Sequence, residues 1–466
     1  MTFTANANGD VYAMLVQSDG KIVVGGSFTQ LDGQLHRNLG RLNADGHVDA
    51  SFAPTAGGPV RCLAPQADGK IIVVGDFVGF NGLPLQRIAR MSADGMVDNT
   101  FTPTANSTTV WTAAVQVDGK VLVGGIFTNL SGVTRNRLGR FNRDGSLDSS
   151  FNPGVDQGGQ PPVNALAVQP DGKILVGGFF TNLAGQFRNN LGRLNSDGSL
   201  DSSFDSSNTL AGGAVTSIIV QSDGDILVAN GSNAHHVNPA NGQVNTLVAP
   251  PPDNLLRSLA LQRDGKALFG GNFTTVGGES HSRIARLLSG NLAEENLDMS
   301  ADGSTVTWMR TGSGPEVQQV TFERSFDGAD FTSLGFGTHI PSGWQLSGLS
   351  LPTGQFMYLR ARGRAIGGLF NGSSSLIESA KNFPGIAGPL LAAPTSLGNG
   401  AFQFNFFHSR GVTFSVFAAT NPTLSFSNWT NIGTPTPLGN NVFQFTDLDA
   451  TNYPHRFYQL RTPSQN

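Results

Sequence analysis

The chain has 466 residues, of which 13% are charged, with 60 Gly, 32 Phe, 24 Pro and a formal net charge of −4. That length leaves room for about three domains of roughly 150 residues, and the glycine and phenylalanine content suits short strands joined by tight turns rather than helices. The charge offers no basic footprint for nucleic acid or anionic lipid, and a single cysteine, Cys62, excludes an internal disulfide framework and a Cys-rich zinc site.

The N-terminus, MTFTANANGD, lacks the basic start and apolar core of a signal peptide. Phe3 corresponds to Phe52, Phe101, Phe151 and Phe204, so the chain begins at a repeat boundary. It is therefore expected to be a trimmed piece of a longer precursor, in which case a missing leader says little about compartment. No apolar run approaches the roughly 20 residues that span a bilayer, so no membrane insertion is expected.

Asp-Gly pairs set the period through the first two thirds: Asp19-Gly20, Asp68-Gly69, Asp118-Gly119, Asp171-Gly172, Asp223-Gly224 and Asp264-Gly265. A second turn follows an Arg-apolar segment in each unit, at Asp45-Gly46, Asp94-Gly95, Asp144-Gly145 and Asp197-Gly198, with Asn241-Gly242 in the fifth unit and Ser289-Gly290 in the sixth. Both turns read as three-residue hairpin loops in which glycine takes the left-handed conformation that a Cβ disfavours. Pro170, at the first loop position of the fourth unit, fits because its fixed φ suits a type I turn.

The flanking segments alternate or run apolar over four to eight residues, which gives four strands per unit. Six such units in an open row would expose their sheet faces, and radial closure solves this. The expected fold is all-β, a six-bladed β-propeller of four-stranded blades over residues 1–297. A seventh blade contributed by the C-terminal region is the alternative.

Centring the second hairpin on Asp45 places Arg41 opposite Asp49. The same register pairs Arg90 with Asp98, Arg140 with Asp148, Arg193 with Asp201 and Arg286 with Glu294, whereas the fifth unit sets His236 against Val244. An acid in register with each arginine favours structural cross-strand pairs over a ligand-binding ring of guanidiniums.

If both Asp-Gly turns lie on one face of the disc, the opposite face carries the longer and more variable loops, where binding residues concentrate. The candidates there, near the mouth of the central channel, are His36, Arg37, Arg87, Arg135, Arg188 and His281, with Asp156 from the longest inter-blade loop. His235 and His236 are strand neighbours whose side chains point to opposite faces, so they cannot easily share a metal, and no metal site or cofactor is expected. No G-x-S-x-G elbow or paired-carboxylate motif stands out, and no reaction is legible.

After about Leu297 the period stops. Residues 298–382, with the late strand Tyr358-Leu359-Arg360-Ala361-Arg362, look like a fibronectin or immunoglobulin-like β-sandwich. The Pro/Gly-rich joint Phe383 to Pro389 opens a second sandwich over 383–466, ending in Arg456-Phe457-Tyr458-Gln459-Leu460-Arg461. Trp308, Trp344 and Trp429 read as core anchors rather than sugar platforms.

The repeat Q-x-D-G-K-I-x-V-G-G-x-F-T…R-L-G-R-L-N-x-D-G-S-L-D-x-S-F, seen at Gln169 to Phe204, resembles the bacterial delta-60 repeat family. Unit five departs from it by lacking the Gly-Gly-x-Phe-Thr segment. The final segment is similar to C-terminal modules of secreted bacterial proteins. The resemblance implies an exported or cell-surface propeller with no active site to carry over. The expected function is a monomeric binding scaffold for a glycan or protein on the long-loop face. A propeller-type glycan lyase or hydrolase with its site at the channel mouth is the first alternative, and a purely structural adhesion repeat is the second.

Overall fold

The computed structural model describes residues 5–106, 109–156, 162–206, 210, 213–248, 250–288, 291–352, 357–383, 390–398, 400–407, 414–424, 426–439 and 442–461. Within them the chain is all-β, its helical content limited to two short 3-10 turns. Each of the first four units is a three-stranded antiparallel sheet: Asp10–Val16, Ile22–Ser27 and Leu39–Leu42 in unit one; Val60–Pro65, Ile71–Gly75 and Ile88–Met91 in unit two. Units three and four repeat this with Val110–Val115, Val121–Gly125 and Leu138–Phe141, then Val163–Val168, Ile174–Gly178 and Leu191–Leu194.

The expected fourth strand shrinks in these units to one bridge, such as Leu42 to Val48 or Phe141 to Leu147. The cause is local. After Asp49 N bonds Arg41 O at 2.8 Å, Phe52 N bonds back to Asp49 O at 3.0 Å, which turns the chain inward and buries Phe52 completely. Unit five alone forms four full strands, Val215–Val220, Ile226–Asn230, Asn233–Val237 and Val244–Leu247, and unit six has Leu256–Leu261, Lys266–Gly271 and Ile284–Leu288.

The turns explain the period. Gln17 N bonds Lys21 O at 2.8 Å, Gly20 N bonds Gln17 O at 3.0 Å, and Gly20 sits at φ 83°, in the left-handed region that glycine enters without penalty. Apolar cores form between consecutive units rather than inside them: Ala13, Leu15 and Val23 pack with Val60, Leu63 and Val73, and the pattern continues through unit six. That radial packing of neighbouring sheets is the architecture of a β-propeller.

The region after unit six does not stand apart from it. Strand Glu294–Met299 runs across position 297 and pairs with Thr305–Thr311, so Glu294 lies opposite Thr311 and not in register with Arg286. With Gly343–Ser347 and Thr338–Ile340 these form one sheet; Gln318–Ser325, Thr332–Phe336 and the long hairpin Met357–Leu369 with Ser373–Phe383 form another. Leu297, Trp308 and Trp344 from the first meet Phe322, Met357 and Leu359 from the second in one buried cluster. The described residues between 390 and 461 build a further pair of sheets around Phe404, Phe406, Val416 and Phe445.

Candidate functional site

The long hairpin determines what the centre of the propeller can do. Its strands of 13 and 11 residues are about 40 Å long at ~3.3 Å per residue. Residues 358–364 pair with 318–325 inside the first module, and the distal half runs on into the ring of inner strands. There Leu369 pairs with Ser258 of unit six and Ser374 with Leu15 of unit one, making a continuous sheet from unit six through the hairpin to unit one.

The tip reaches the remaining units. Leu63 N of unit two donates to Gly372 O at 3.1 Å, Phe370 N donates to Thr216 O at 3.0 Å, and the Phe370 ring stacks on Trp111 of unit three at 4.8 Å and 25°. Asn371 is 2% exposed and uses its whole amide: Nδ2 donates to Leu166 O (3.1 Å) and Ile218 O (2.7 Å), while Oδ1 accepts from Ile218 N (2.9 Å) and Ser217 Oγ (3.2 Å). Phe370 and Asn371 sit at φ 56° and 53°, as a two-residue hairpin turn of matching twist requires. Two voids of about 20 Å³ each line the hairpin, room for roughly one water apiece. The chain therefore closes its own channel.

Above the tip, where the chain enters each inner strand, the pairing register between the first two strands slips by one residue in all six units. The slips fall at Tyr12, Arg61, Trp111, Asn164, Thr216 and Arg257. A bulge re-aims its side chain and is a frequent feature beside binding sites. These side chains link neighbours round the ring. Arg61 lies over the Tyr12 ring at 4.4 Å and is held by Asp76 at 2.6 Å; Asn164 Nδ2 donates to Val215 O at 3.0 Å, and Thr216 Oγ1 to Leu256 O at 3.4 Å. Arg257 is exposed and carries no ion pair among the described residues. The result is a rim of two aromatic rings, two guanidiniums and a hydroxyl over a floor made by Phe370, with the Asn164 amide buried between units four and five.

The loop residues singled out by sequence are not among these six bulged positions. Arg135 and Arg188 are buried and bond carbonyls of their own units, Arg135 Nη2 to Ser149 O at 3.3 Å and Arg188 Nε to Phe204 O at 3.1 Å. Arg87, at φ 67°, donates to Phe77 O at 2.7 Å. His36 is buried, and desolvation lowers its pKa; His281 is partly covered, and Arg37 and Asp156 are exposed. The bonds of Arg135 and Arg188 run outward to the segments that follow the second turns, so these two point away from the channel.

The cross-strand arginines form a repeated network. Arg41 Nε meets Asp49 Oδ2 at 3.0 Å, Lys21 Nζ meets the same oxygen at 2.7 Å, and Ser51 caps the other at 2.5 Å. Arg41 Nη1 then reaches Gln17 Oε1 at 3.1 Å and Ala93 O of the next unit at 2.7 Å, with its guanidinium 4.4 Å over Phe52. Arg90 with Asp98, Arg140 with Asp148 and Arg193 with Asp201 repeat the arrangement, each arginine bonding a carbonyl of the following unit: Arg143 O, Ser196 O and Pro239 O. The recurring letters of the repeat thus tie each of units one to four to the unit that follows. In unit five His236 contacts Asp225 and faces Thr246 instead.

Segments 17–52, 66–101, 116–151, 169–204 and 262–291 match the profile of a family described as a domain of unknown function (DUF5122) β-propeller. The repeat region is accordingly built of propeller repeats. Among solved structures, the extracellular domain assigned to a one-component system of B. thetaiotaomicron is similar at 11% identity and a TM-score of 0.40, covering 82% of this chain and 56% of that one. An extracellular domain assigned to a hybrid two-component system of the same organism gives 12%, 0.33, 94% and 64%. A structure described as a gluconolactonase gives 14%, 0.31, 57% and 91%. The chain spans little more than half the length of the first of these, and shape similarity at this level fixes neither ligand nor chemistry. No curated protein matches the sequence.

Proposed function

We propose that the chain is a cell-surface or secreted binding scaffold, a six-bladed propeller followed by β-sandwich modules over residues 298–382 and 383–466, which takes a glycan or protein ligand at the long-loop mouth of its closed channel. The observation that carries this reading is the ring of six bulged residues above the hairpin tip. A rigid backbone that repeats its geometry six times while changing the side chain at one inward position each time, from Tyr12 to Arg257, has the form of a recognition surface rather than a packing requirement. Aromatic rings and guanidiniums are the groups that contribute most at binding hot spots. The same six positions hold no carboxylate, which favours recognition over glycan hydrolysis. Export is what the family resemblance of the repeat implies.

The test is a screen of the purified full chain on glycan and envelope-protein arrays beside Trp111→Ala and Tyr12→Ala. A ligand bound by the parent and weakened by both substitutions supports the reading. Silence on every array, or binding that both substitutions leave intact, overturns it.

A further inference from the structure

The opposite face carries a second opening. A cleft of about 470 Å³ lies between the first turns of units four and five and the first module, with Asp171, Lys173 and Asp223 on the propeller side and Glu316, His339 and Ser342 on the module side. Its volume falls within the range of small-molecule sites, and a junction between domains is a common place for them.

The charges around it do not cancel locally. Both cations of the lining are already engaged: Lys173 Nζ contacts Asp201 at 3.0 Å and Arg193 Nε contacts the same carboxylate at 2.8 Å. The three carboxylates are not. Among the described residues no ion pair forms on Asp171, Asp223 or Glu316; one oxygen of Asp171 takes Lys173 N at 3.1 Å and one of Asp223 takes Asp225 N at 3.1 Å. Glu316 Oε1 accepts from Val317 N at 2.8 Å and from Trp344 Nε1 at 3.3 Å, which aims the carboxylate and leaves its other oxygen without a protein donor.

Burial pushes the pKa of both Glu316 and Asp223 upward, the mark of carboxylates that have lost water without gaining a full counter-charge. These acids stand on two walls and are too dispersed to ligate one ion, since no group of three His, Cys, Asp or Glu among the described residues could hold a metal. Dispersed acceptors on the propeller and module sides of one cleft suit a flexible ligand with separated positive charges.

We propose that this cleft binds a small organic polyamine, whose ammonium groups pair with Glu316 on the module side and with Asp171 and Asp223 on the propeller side. The ligand would bridge the propeller and the module that plugs it. This site is independent of the long-loop mouth and does not rest on the function proposed there.

Calorimetric titration of the full chain with spermidine tests it. Saturable one-site binding is expected, weakened about tenfold or more by Glu316→Gln, which removes a desolvated charge partner, and by about threefold by Asp171→Asn, whose exposed carboxylate pairs through water-screened contact. Asp19→Asn, the equivalent turn residue of unit one on the same face, is expected to leave the titration unchanged. Asp171 lies in an exposed turn, so its variant tests the site even if Glu316→Gln fails to fold. Absence of saturable binding, or equal weakening by Asp19→Asn, overturns the proposal.

Discussion

Asn371 ties the hairpin tip to units four and five, and its loss should be felt in both. In Asn371→Ala four hydrogen bonds disappear, those to Leu166 O, Ile218 O, Ile218 N and Ser217 Oγ. At ~1 kcal/mol net for each bond, and with ~1 kcal/mol more for an alanine held at positive φ, partly offset by water entering the space, the cost is about 3–5 kcal/mol. Unfolding entropy of ~2.1 cal/mol/K per residue, summed over a cooperative unit that ends near Phe383, is ~0.8 kcal/mol/K, so Tm should fall by about 4–6 °C. Differential scanning calorimetry reads this directly. Asn371→Gly separates the two contributions, because it loses the amide but accepts φ 53° freely and should fall short of the alanine variant by the conformational share alone. A parent-like Tm for both variants would show that the hairpin tip contributes nothing to the ring, and the plug would be a passive neighbour.

Other consequences follow from single sites. Gly198→Ala should cost about 2–4 kcal/mol in urea denaturation, because its Cβ would stand 2.6 Å from Phe151 Cδ2 at φ 98°; Gly185→Ala, at φ 75° with nothing within 4 Å, should cost only about 1–2. For Asp148 burial opposes ionisation, but bonds from Ser150 and Lys120 and the charge of Arg140 outweigh it and hold the carboxyl well below its usual range. A lowered folded-state pKa means stability that is complete above the unfolded value of ~3.9 and is lost as pH falls below it. Melting temperatures should therefore drop steeply below about pH 4, and Asp148→Asn should flatten that slope while lowering Tm at neutral pH. Cys62 is fully buried, and desolvation pushes its thiol up to about 12, so Ellman's reagent should find no reactive thiol until denaturant is added.

The features legible in the sequence are those whose partners lie nearby along the chain. Gly20 and Gly46 mark hairpins because a left-handed turn is a property of a few residues, and Arg41 meets Asp49 because one turn sets their register. The plug is invisible at that range. Asn371 bonds Leu166 and Ile218 across more than 150 residues, and Leu369-Phe370-Asn371-Gly372 reads in isolation as an ordinary turn. The mouth residues escaped notice because their identities differ, whereas Arg135 and Arg188 attracted it by being charged and loop-borne, and both turn out to be packed against their own units. A signal was present in the spacing. Tyr12 stands as far before Asp19 as Arg257 does before Asp264, and the same offset recurs in every unit. A fixed offset with a changing side chain inside an otherwise repetitive sequence is the signal that the proposed recognition role would leave.

Unit five shows why the repeat and the module belong to one folding problem. In units one and three the turn glutamine donates to a carbonyl of another unit's second turn, Gln17 to Ala93 O at 2.8 Å and Gln116 to Ser196 O at 3.5 Å. Gln221 instead donates to Ser313 O at 3.1 Å, Ser222 N to Gly314 O at 2.8 Å, and Glu316 N to Val220 O at 2.8 Å. Residues 312–316 have thus taken the place that a neighbouring repeat occupies elsewhere. Once the module supplies that contact, the arginine, lysine and Gly-Gly-x-Phe-Thr letters of the repeat lose their purpose in unit five, and His236 and Asp225 can stand where Arg and Lys are found in units one to four. The degeneracy of this unit marks the module's docking site, and the cleft holding Glu316 and Asp223 opens at that same seam.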